Sequence, residues 1–290
     1  MQYGALQKGC YAVRFFAACY HTYQRSDLPF PLSKMASAES DIPTEMQDRG
    51  KWYGDAADYW KNIPATVNGM LGGYAHISPT DIKDSKQFLK SFLELPDECD
   101  EKTPAKVRRI EPSSTNDTSI TSKIKPSIAL DCGAGIGRVT KNLLLPLFDT
   151  VDMVEQNPAF LQKAKDYLGE KKDRIGHFYA QGLQDFKPET GRYSVIWVQW
   201  VLGHLTDDDF VDFFERCQLG LAPGGLICVK ENITKTGVDM DSEDSSVTRS
   251  DEKLRELFAK SSLTVIKDEV QKNFPGELYR VKMYAMRPKS

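Results

Sequence analysis

The feature that most constrains the fold is a short apolar segment that runs into three glycines at alternate positions. The stretch from Ala129 to Arg138, with glycines at 133, 135 and 137, predicts a buried strand, a tight loop and then a helix. Glycine has no Cβ, so it adopts positive φ and lets a ligand approach the backbone closely. The G-x-G-x-G spacing differs from the G-x-G-x-x-G of dinucleotide folds, which weakens a phosphate-binding interpretation. A purely structural turn is the alternative.

A carboxylate ends the next predicted strand. The segment from Val151 to Val154 leads into Glu155, close to the ~20-residue spacing at which an acid meets a ribose diol. Together the glycine loop and this acid resemble the S-adenosylmethionine site of class I methyltransferases.

Composition limits the classes of function. The chain has 290 residues, 40% of them hydrophobic and 27% charged, as is ordinary for a globular protein. The formal net charge of -3 gives no electrostatic reason to expect nucleic acid or an anionic membrane as partner. No apolar run approaches the ~20 residues that a membrane span needs. Six cysteines and four histidines lack zinc-ligand spacing, so we expect reduced, mostly buried thiols in an intracellular protein and no metal.

Apolar segments alternate with helical ones from about residue 126 onward. This alternation predicts a parallel sheet with helices on both faces, and ligands in such sheets bind beyond the carboxyl ends of the strands. The predicted strands are residues 129–132, 151–155, 177–179, 193–200, 226–230, 264–270 and 279–286. The predicted helices are residues 140–148, 158–168, 207–217 and 251–260.

Four segments follow from the changes in composition. Residues 1–47 are predicted to be a disordered or targeting extension, because Asp27 is the only acid in residues 1–34 and residues 35–47 are acidic and polar. Residues 48–95 are predicted to be a helical lid with one helix over 48–63 and another whose N-cap lies in the run of residues 78–81. Residues 96–127 are predicted to be a mobile linker, and residues 128–290 form the core.

Four stretches taken together resemble one family. They are Trp60 with residues 69–74, the glycine loop, the motif W-x-Q-W-x-x-G-H-L-T-D at 197–207, and D-S-S-V at 244–247. They resemble the protein α-N-terminal methyltransferases, which methylate the free terminal amine of proteins beginning Xaa-Pro-Lys or Xaa-Pro-Arg. The resemblance implies a Rossmann-like class I methyltransferase whose seven-stranded, mostly parallel sheet carries helices on both faces and an N-terminal helical lid.

The resemblance also implies which residues hold S-adenosylmethionine. Gly133 and Arg138 would hold its methionine part, and Glu155 would accept from the ribose hydroxyls. The other implied contacts are Gln156 and Asn157 along the same edge, Leu183 and Gln184 at the adenine, and Gln199 facing the cofactor.

A second set of residues would hold the protein tail. Trp60 and Trp200 would flank its terminus, and Asn232 would bond its first carbonyl. The remaining implied substrate contacts are Leu71, Asp241, Asp244, Ser246 and Tyr279. Asp244 and His204 would remove the proton from the amine. The residues alone leave open that residues 237–243 are a solvated acidic loop and that His204 is structural.

Two other functions stay open at this stage. One is a class I methyltransferase that acts on a small-molecule amine or a side chain, and the other is a catalytically silent module that binds Xaa-Pro-Lys tails. The resemblance implies a nuclear and cytoplasmic location, with mitochondrial targeting by residues 1–34 as the alternative.

Overall fold

The computed structural model describes residues 43–95 and 123–289. The predictions for residues 1–42, for most of the linker (96–122) and for residue 290 therefore fall outside the described residues. At the edges of these gaps two side chains are buried where we expected solvated chain. Met46 is 4% exposed beside Trp52, and Ile124 is 7% exposed and pairs with Leu93.

Helices and strands alternate as predicted after residue 126. The described helices are α1 (Arg49–Asn62), α2 (Val67–Met70), α3 (Ser78–Lys90), α4 (Pro158–Leu168), α5 (Asp207–Gly220) and α6 (Asp251–Lys260). The described strands are β1 (Ile128–Cys132), β2 (Thr150–Val154), β3 (Ile175–Tyr179), β4 (Tyr193–Gln199), β5 (Leu221–Ile233), β6 (Val238–Asp241), β7 (Ser246–Arg249), β8 (Leu263–Val270) and β9 (Arg280–Pro288). The helix predicted over 140–148 is present only as a π-helical turn, Thr140–Leu144.

Seven strands form one sheet in the order β3-β2-β1-β4-β5-β9-β8. Strands β1 to β5 run parallel, and β9 is antiparallel to both of its neighbours. The strand order reverses between β1 and β4, which is the place where parallel α/β sheets bind ligands. The predicted seven-stranded, mostly parallel sheet is confirmed.

Hydrophobic side chains cover both faces of this sheet. Every residue of β4 is buried, as the continuous apolar sequence of a central parallel strand requires. One cluster joins the sheet to α3 and α4, and a second joins its other face to α5 and α6. The predicted placement of helices on both faces is confirmed.

The lid, residues 48–95, is fastened to the sheet by polar contacts. Asp48 caps α1 by accepting from the Lys51 N–H, as expected for a helix that starts there. The Trp52 indole donates to the His204 carbonyl at 2.7 Å, and the Arg49 guanidinium pairs with Asp209 at 2.7 Å. The first turn of α1 is thereby fixed to the loop after β4 and to the first turn of α5.

Two local predictions were wrong. The run of residues 78–81 supplies no N-cap for α3: Ser78 is the first helical residue, and its hydroxyl accepts from Arg138 instead. Residues 237–243 are not simply a loop, because β6 pairs with β7 in an antiparallel hairpin. Its alternation puts Val238 and Met240 against Trp52, which leaves the acids on the other face.

The described helices include none that is both long enough and apolar enough to cross a bilayer.

Replacing Gly133 with alanine tests the glycine loop. Gly133 has φ +69°, and a Cβ there would lie 2.7 Å from the Cβ of Val201. We expect Gly133→Ala to lower the free energy of unfolding by about 1–3 kcal/mol, measured by urea denaturation. The matched control is Gly54→Ala on an exposed turn of α1, where a Cβ meets nothing within 4 Å. This change should raise stability by roughly 0.5–1 kcal/mol. Equal stability of the two variants would contradict the proposed strain.

Candidate active site

A cleft opens at the carboxyl ends of β1, β2 and β4, under the lid. The cleft, including the open solvent at its mouth, holds about 970 Å³ of space free of protein atoms. The loops after these strands form its floor, and α1 and α2 supply the facing wall. Its lining includes the predicted residues Trp60, Gly133, Arg138, Glu155, Gln156, Leu183, Gln184, Gln199, Trp200 and His204.

The glycine loop needs its glycines for backbone conformation and for space. Gly133, Gly135 and Gly137 have φ of +69°, +54° and +82°, in the left-handed region that side chains disfavour. A Cβ on Gly135 would also lie 2.7 Å from the Met70 sulfur in the lid. The alternate spacing therefore lets the backbone turn tightly while α2 packs directly on the loop.

Glu155 holds its carboxylate at the edge of the cleft. Oε2 accepts from the Gly135 N–H at 2.9 Å, and Oε1 accepts from the Asn157 N–H at 2.8 Å. Burial raises the pKa of Glu155, while these backbone donors lower it. A carboxylate has about four acceptor positions, so it retains capacity for a pair of hydroxyls. This arrangement fits a ribose diol.

Arg138 and Gln199 line the cleft but are also bonded to the lid. Arg138 Nη1 donates to Asp81 Oδ2 at 2.7 Å, and Gln199 Nε2 donates to the same carboxylate at 3.0 Å. The Gln199 carbonyl oxygen accepts from the Trp197 indole at 3.0 Å, and Trp197 is fully buried. Asp81 thus orients both side chains that face the cleft.

Seven predicted contacts are not part of the cleft lining: Asn157, Leu71, Asn232, Asp241, Asp244, Ser246 and Tyr279. The Asn157 side chain caps α4 by accepting from the Ala159 N–H. Leu71 is fully buried in a cluster with Ile77 and Leu278, against which Trp200 packs. Leu71 therefore supports Trp200 from behind.

Trp200 has a strained backbone at the end of β4. Its φ of +53° is rare for a residue with a bulky side chain, and such strain concentrates at functional sites. The Arg138 guanidinium carbon lies 5.6 Å from the centre of its ring. The predicted strand 193–200 accordingly ends one residue earlier, because Trp200 leaves the sheet to enter the cleft wall.

His204 connects the lid to the hairpin. Its Nε2 accepts from the Trp60 indole at 3.0 Å, and its Nδ1 lies 3.1 Å from the Ser245 carbonyl oxygen, to which it donates. Burial lowers the pKa of His204. The imidazole is therefore neutral here, with both of its nitrogens engaged.

The hairpin presents one buried acid. Asp244 is 1% exposed, and its Oδ1 accepts from the Ser246 hydroxyl at 2.6 Å. Burial, together with the neighbouring charges of Asp241 and Glu243 and against the opposing hydrogen bond from Ser246, raises the pKa of Asp244 to about 7. Among the described residues, Asp244 Oδ2 and Asn232 Oδ1 are buried without a hydrogen-bond partner. Buried acceptors without a donor call for one, so they fit an N–H group of a ligand.

The remaining acids face α1. Burial is the largest cause of the raised pKa of Tyr59, about 12, and the charges of Asp244, Glu243 and Asp241 add to it. On the outer face of the hairpin, the Tyr279 hydroxyl donates to Asp239 at 3.2 Å. Tyr279 thus lies beside the hairpin, outside the cleft lining.

Sequence reasoning missed Asp81 and Lys230. Both are fully buried, and Lys230 Nζ lies 2.5 Å from Asp81 Oδ1. Lys230 could have been found as the one charged residue that ends an apolar strand, 226–229. Asp81 gave no such signal, because an acid in the first turn of a helix usually faces solvent.

The residues present fit S-adenosylmethionine. A left-handed glycine loop, a buried carboxylate that can accept from a diol and a buried guanidinium line one cleft at the switch point of the sheet. Fold and site together define a class I S-adenosylmethionine-dependent methyltransferase.

A family model described as AdoMet-dependent proline di-methyltransferase matches residues 48–107 and 113–287. The chain belongs to this family. It is 50% identical over 247 residues to the N-terminal Xaa-Pro-Lys N-methyltransferase 1-B of Xenopus laevis, covering 85% of this chain and 100% of that relative. The human N-terminal Xaa-Pro-Lys N-methyltransferase 1 is 45% identical over 242 residues, 83% of this chain and 98% of that relative.

A solved structure is similar in fold and sequence. It is a SAM-dependent methyltransferase from Leishmania major, with a TM-score of 0.69 and 37% identity. The similarity covers 84% of this chain and 87% of that one.

Replacing Asp244 with asparagine tests its burial. The raised pKa, about 7 against an ordinary 3.8, means that the folded chain binds this proton more tightly than the unfolded chain. Stability is therefore lost as pH rises from about 4 through 7. We expect Asp244→Asn to be more stable than the parent at pH 8, by on the order of 4 kcal/mol at most, with the difference shrinking toward pH 4.

Urea unfolding across this pH range measures the effect. Asp239→Asn, an exposed acid of the same hairpin, is the control and should change stability little at any pH. A difference in the free energy of unfolding between Asp244→Asn and the parent that does not change with pH would contradict the raised pKa.

Proposed function

We propose that this protein methylates the free α-amino group of protein chains that begin Xaa-Pro-Lys or Xaa-Pro-Arg. The observation that carries the proposal is the buried carboxylate of Asp244, whose Oδ2 lacks a donor within the described structure. A terminal ammonium or amine supplies that donor. The printed names of the relatives, N-terminal Xaa-Pro-Lys N-methyltransferases, support the same substrate.

The cofactor is assigned to the floor of the cleft. Gly133 and Arg138 bind its methionine part, Glu155 accepts from its ribose, and Leu183 with Gln184 contacts its adenine. The other assigned contacts are Gln156, Asn157 and Gln199, with the Asn157 backbone N–H holding Glu155 in place.

The tail is assigned to the wall between lid and hairpin. Trp60 and Trp200 are flat surfaces that line the cleft, and they suit the ring of a second-position proline. Asn232 bonds the first peptide carbonyl and accepts from an N–H of the tail. The acids Asp241 and Asp244, with Ser246, receive the amine and the basic third residue, while Tyr279 closes the outer side and Leu71 supports Trp200.

Asp244 is the group that takes up the amine proton. A base works best when its pKa lies near the operating pH, and burial has brought the pKa of Asp244 to about 7. His204 is the second acceptor, and it becomes available when Trp60 releases Nε2. When bound, S-adenosylmethionine supplies an electrophilic methyl group on a sulfonium sulfur.

Magnitudes favour an α-amine over a lysine side chain as substrate. An α-amine has an ordinary pKa of about 7.7–8.0, so deprotonating it at pH 7 costs about 1–1.4 kcal/mol. A lysine, with a pKa of about 10.4, costs roughly 4.6 kcal/mol. One carboxylate with a pKa near 7 is matched to the first case. Positioning of the nitrogen by the two indoles can supply a further ~7–11 kcal/mol.

Incubation with a peptide tests the function. With S-adenosylmethionine, an Ala-Pro-Lys peptide should gain methyl groups at its terminal nitrogen, located by fragmentation mass spectrometry. The N-acetylated peptide is the control and should stay unmodified, because its nitrogen no longer carries a basic lone pair. Asp244→Asn should bind the cofactor like the parent but transfer at least roughly a hundredfold more slowly.

Two other outcomes would contradict the proposal. Methylation of an internal lysine or a small amine, with the terminus untouched, would indicate a methyltransferase of other specificity. Binding of both cofactor and tail without any transfer would indicate a recognition module.

The family resemblance supports a nuclear and cytoplasmic location, which we also propose for this chain. Imaging of the fluorescently tagged full chain should show diffuse nuclear and cytoplasmic signal, and so should a chain that starts at Met35. Mitochondrial signal from the full chain that is lost on removing residues 1–34 would show instead that this acid-poor segment is a targeting signal.

A further inference from the structure

Three buried charged side chains meet between the lid and the sheet. Asp81 comes from α3, Arg138 from the end of the glycine loop, and Lys230 from β5, and none is more than 4% exposed. Asp81 Oδ2 lies 2.7 Å from Arg138 Nη1, and its Oδ1 lies 2.5 Å from Lys230 Nζ. Arg138 lines the cleft, whereas Lys230 lies behind Asp81 and is not part of the lining.

The surroundings of Lys230 show that its amine is protonated. Nζ faces Asp81 Oδ1, Gln271 Oε1, Ser85 Oγ and the Asp81 carbonyl oxygen. The Ser85 hydroxyl proton already goes to the Asp81 carbonyl, and the Gln271 amide nitrogen donates elsewhere. All four oxygens therefore act as acceptors, and a neutral amine would turn its lone pair toward one of them. Burial lowers the pKa of Lys230, but this acceptor set holds the third proton.

Asp81 is ionised for the complementary reason. Its carboxylate receives only donors, from Arg138, Lys230 and Gln199. Burial by itself would raise the pKa of Asp81, yet the two cations hold the pKa below its ordinary value. Asp84, the next acid, contacts Gln271 rather than either cation and is partly exposed. These three side chains, two cations and one anion, together carry a net charge of +1. Asp131, another buried acid that interacts with Arg138, has its pKa raised to about 7 by burial.

We propose that Lys230 is a positioning residue for the cofactor. Because Lys230 shares the charge of Asp81, the charge of Arg138 is left available to an anion in the cleft, namely the carboxylate of the methionine part. Without Lys230, Asp81 would neutralise Arg138 alone, and the cleft would lose its attraction for that carboxylate. The inference rests on the proposed function in one respect, the assignment of Arg138 to the methionine part.

A pair of ligands that differ only in the carboxylate tests the inference. S-adenosylhomocysteine and its decarboxylated analogue are each titrated by calorimetry into two full-length proteins, the parent and the Lys230→Met variant. We expect Lys230→Met to weaken the binding of S-adenosylhomocysteine roughly tenfold, which is about 1.4 kcal/mol of binding free energy. The decarboxylated analogue, a net cation, should bind unchanged or more tightly.

Two further variants separate charge from packing. Lys230→Arg keeps the charge and should retain the parent's preference for the carboxylate. Lys282→Met is the matched control, since Lys282 is a buried lysine on β9 that pairs with Asp251 and Asp268. It should lower stability without changing the preference. If Lys230→Met does not fold, Lys230→Gln carries the same test, because it keeps a donor for Asp81.

If Lys230→Met weakens the binding of both ligands equally, Lys230 has only a structural role and the inference is overturned. The inference is also overturned if the affinity for neither ligand changes. The Arg138→Gln variant identifies a failure at the earlier step. If the parent and Arg138→Gln show the same preference for the carboxylate, the assignment of Arg138 is wrong. If Arg138→Gln loses the preference and Lys230→Met keeps it, only the role of Lys230 is wrong.

Discussion

Asp81 reaches from the first turn of α3 into the dry space between the glycine loop and β5, where its carboxylate meets Arg138 and Lys230. Burying an ion costs several kcal/mol, and the cost is offset only when partners and hydrogen bonds are complete. Here Gln199, Ser85 and Gln271 complete them. The lid, the glycine loop and the sheet therefore fit together as one unit, since moving any of them exposes an uncompensated charge.

The cleft is a consequence of that fit. The reversal of strand order between β1 and β4 leaves a gap at the sheet edge, and the glycine loop keeps this gap clear of side chains. The buried charges hold the lid against the sheet, so the lid closes the gap on one side. Trp60 thereby lines the same cleft as Trp200 and His204. The residues proposed to hold the cofactor on the floor and the two indoles proposed to hold the tail thus line one cleft.

The hairpin contacts the lid through apolar side chains and the loop after β4 through a hydrogen bond. Val238, Met240 and Val247 pack on Trp52, and the Ser245 carbonyl accepts from His204. The acid at the tip is thereby buried, and burial is what brings the pKa of Asp244 near 7. On an exposed loop the same residue would have the pKa of an ordinary acid and would be a poor proton acceptor at neutral pH.

The sheet, its helices and the glycine loop were predictable from the sequence because their causes are local. Apolar periodicity marks β4 and α5, and only glycine accepts the φ values at positions 133, 135 and 137. The hairpin was missed because strands of four residues carry too little periodicity, and the N-cap of α3 was wrongly placed in the run of residues 78–81 because nothing nearby in sequence marks Arg138 as the partner of Ser78. At Asp48 and Asn157 the sequence predicted only that a helix begins. The Asn157 side chain, which the resemblance assigns to the cofactor, instead caps α4.

The sequence by itself thus determined the order of the elements, the position of the cleft at the end of β1 and the residue types that reach it. The tertiary structure decided the charge states. Whether Asp244 holds a proton near neutral pH, whether His204 is neutral and whether Asp81 leaves a net positive charge beside the cleft all depend on burial and on partners distant in the chain. The free energy of a charge is set by the groups and the solvent that surround it in space, and adjacency in sequence does not specify them.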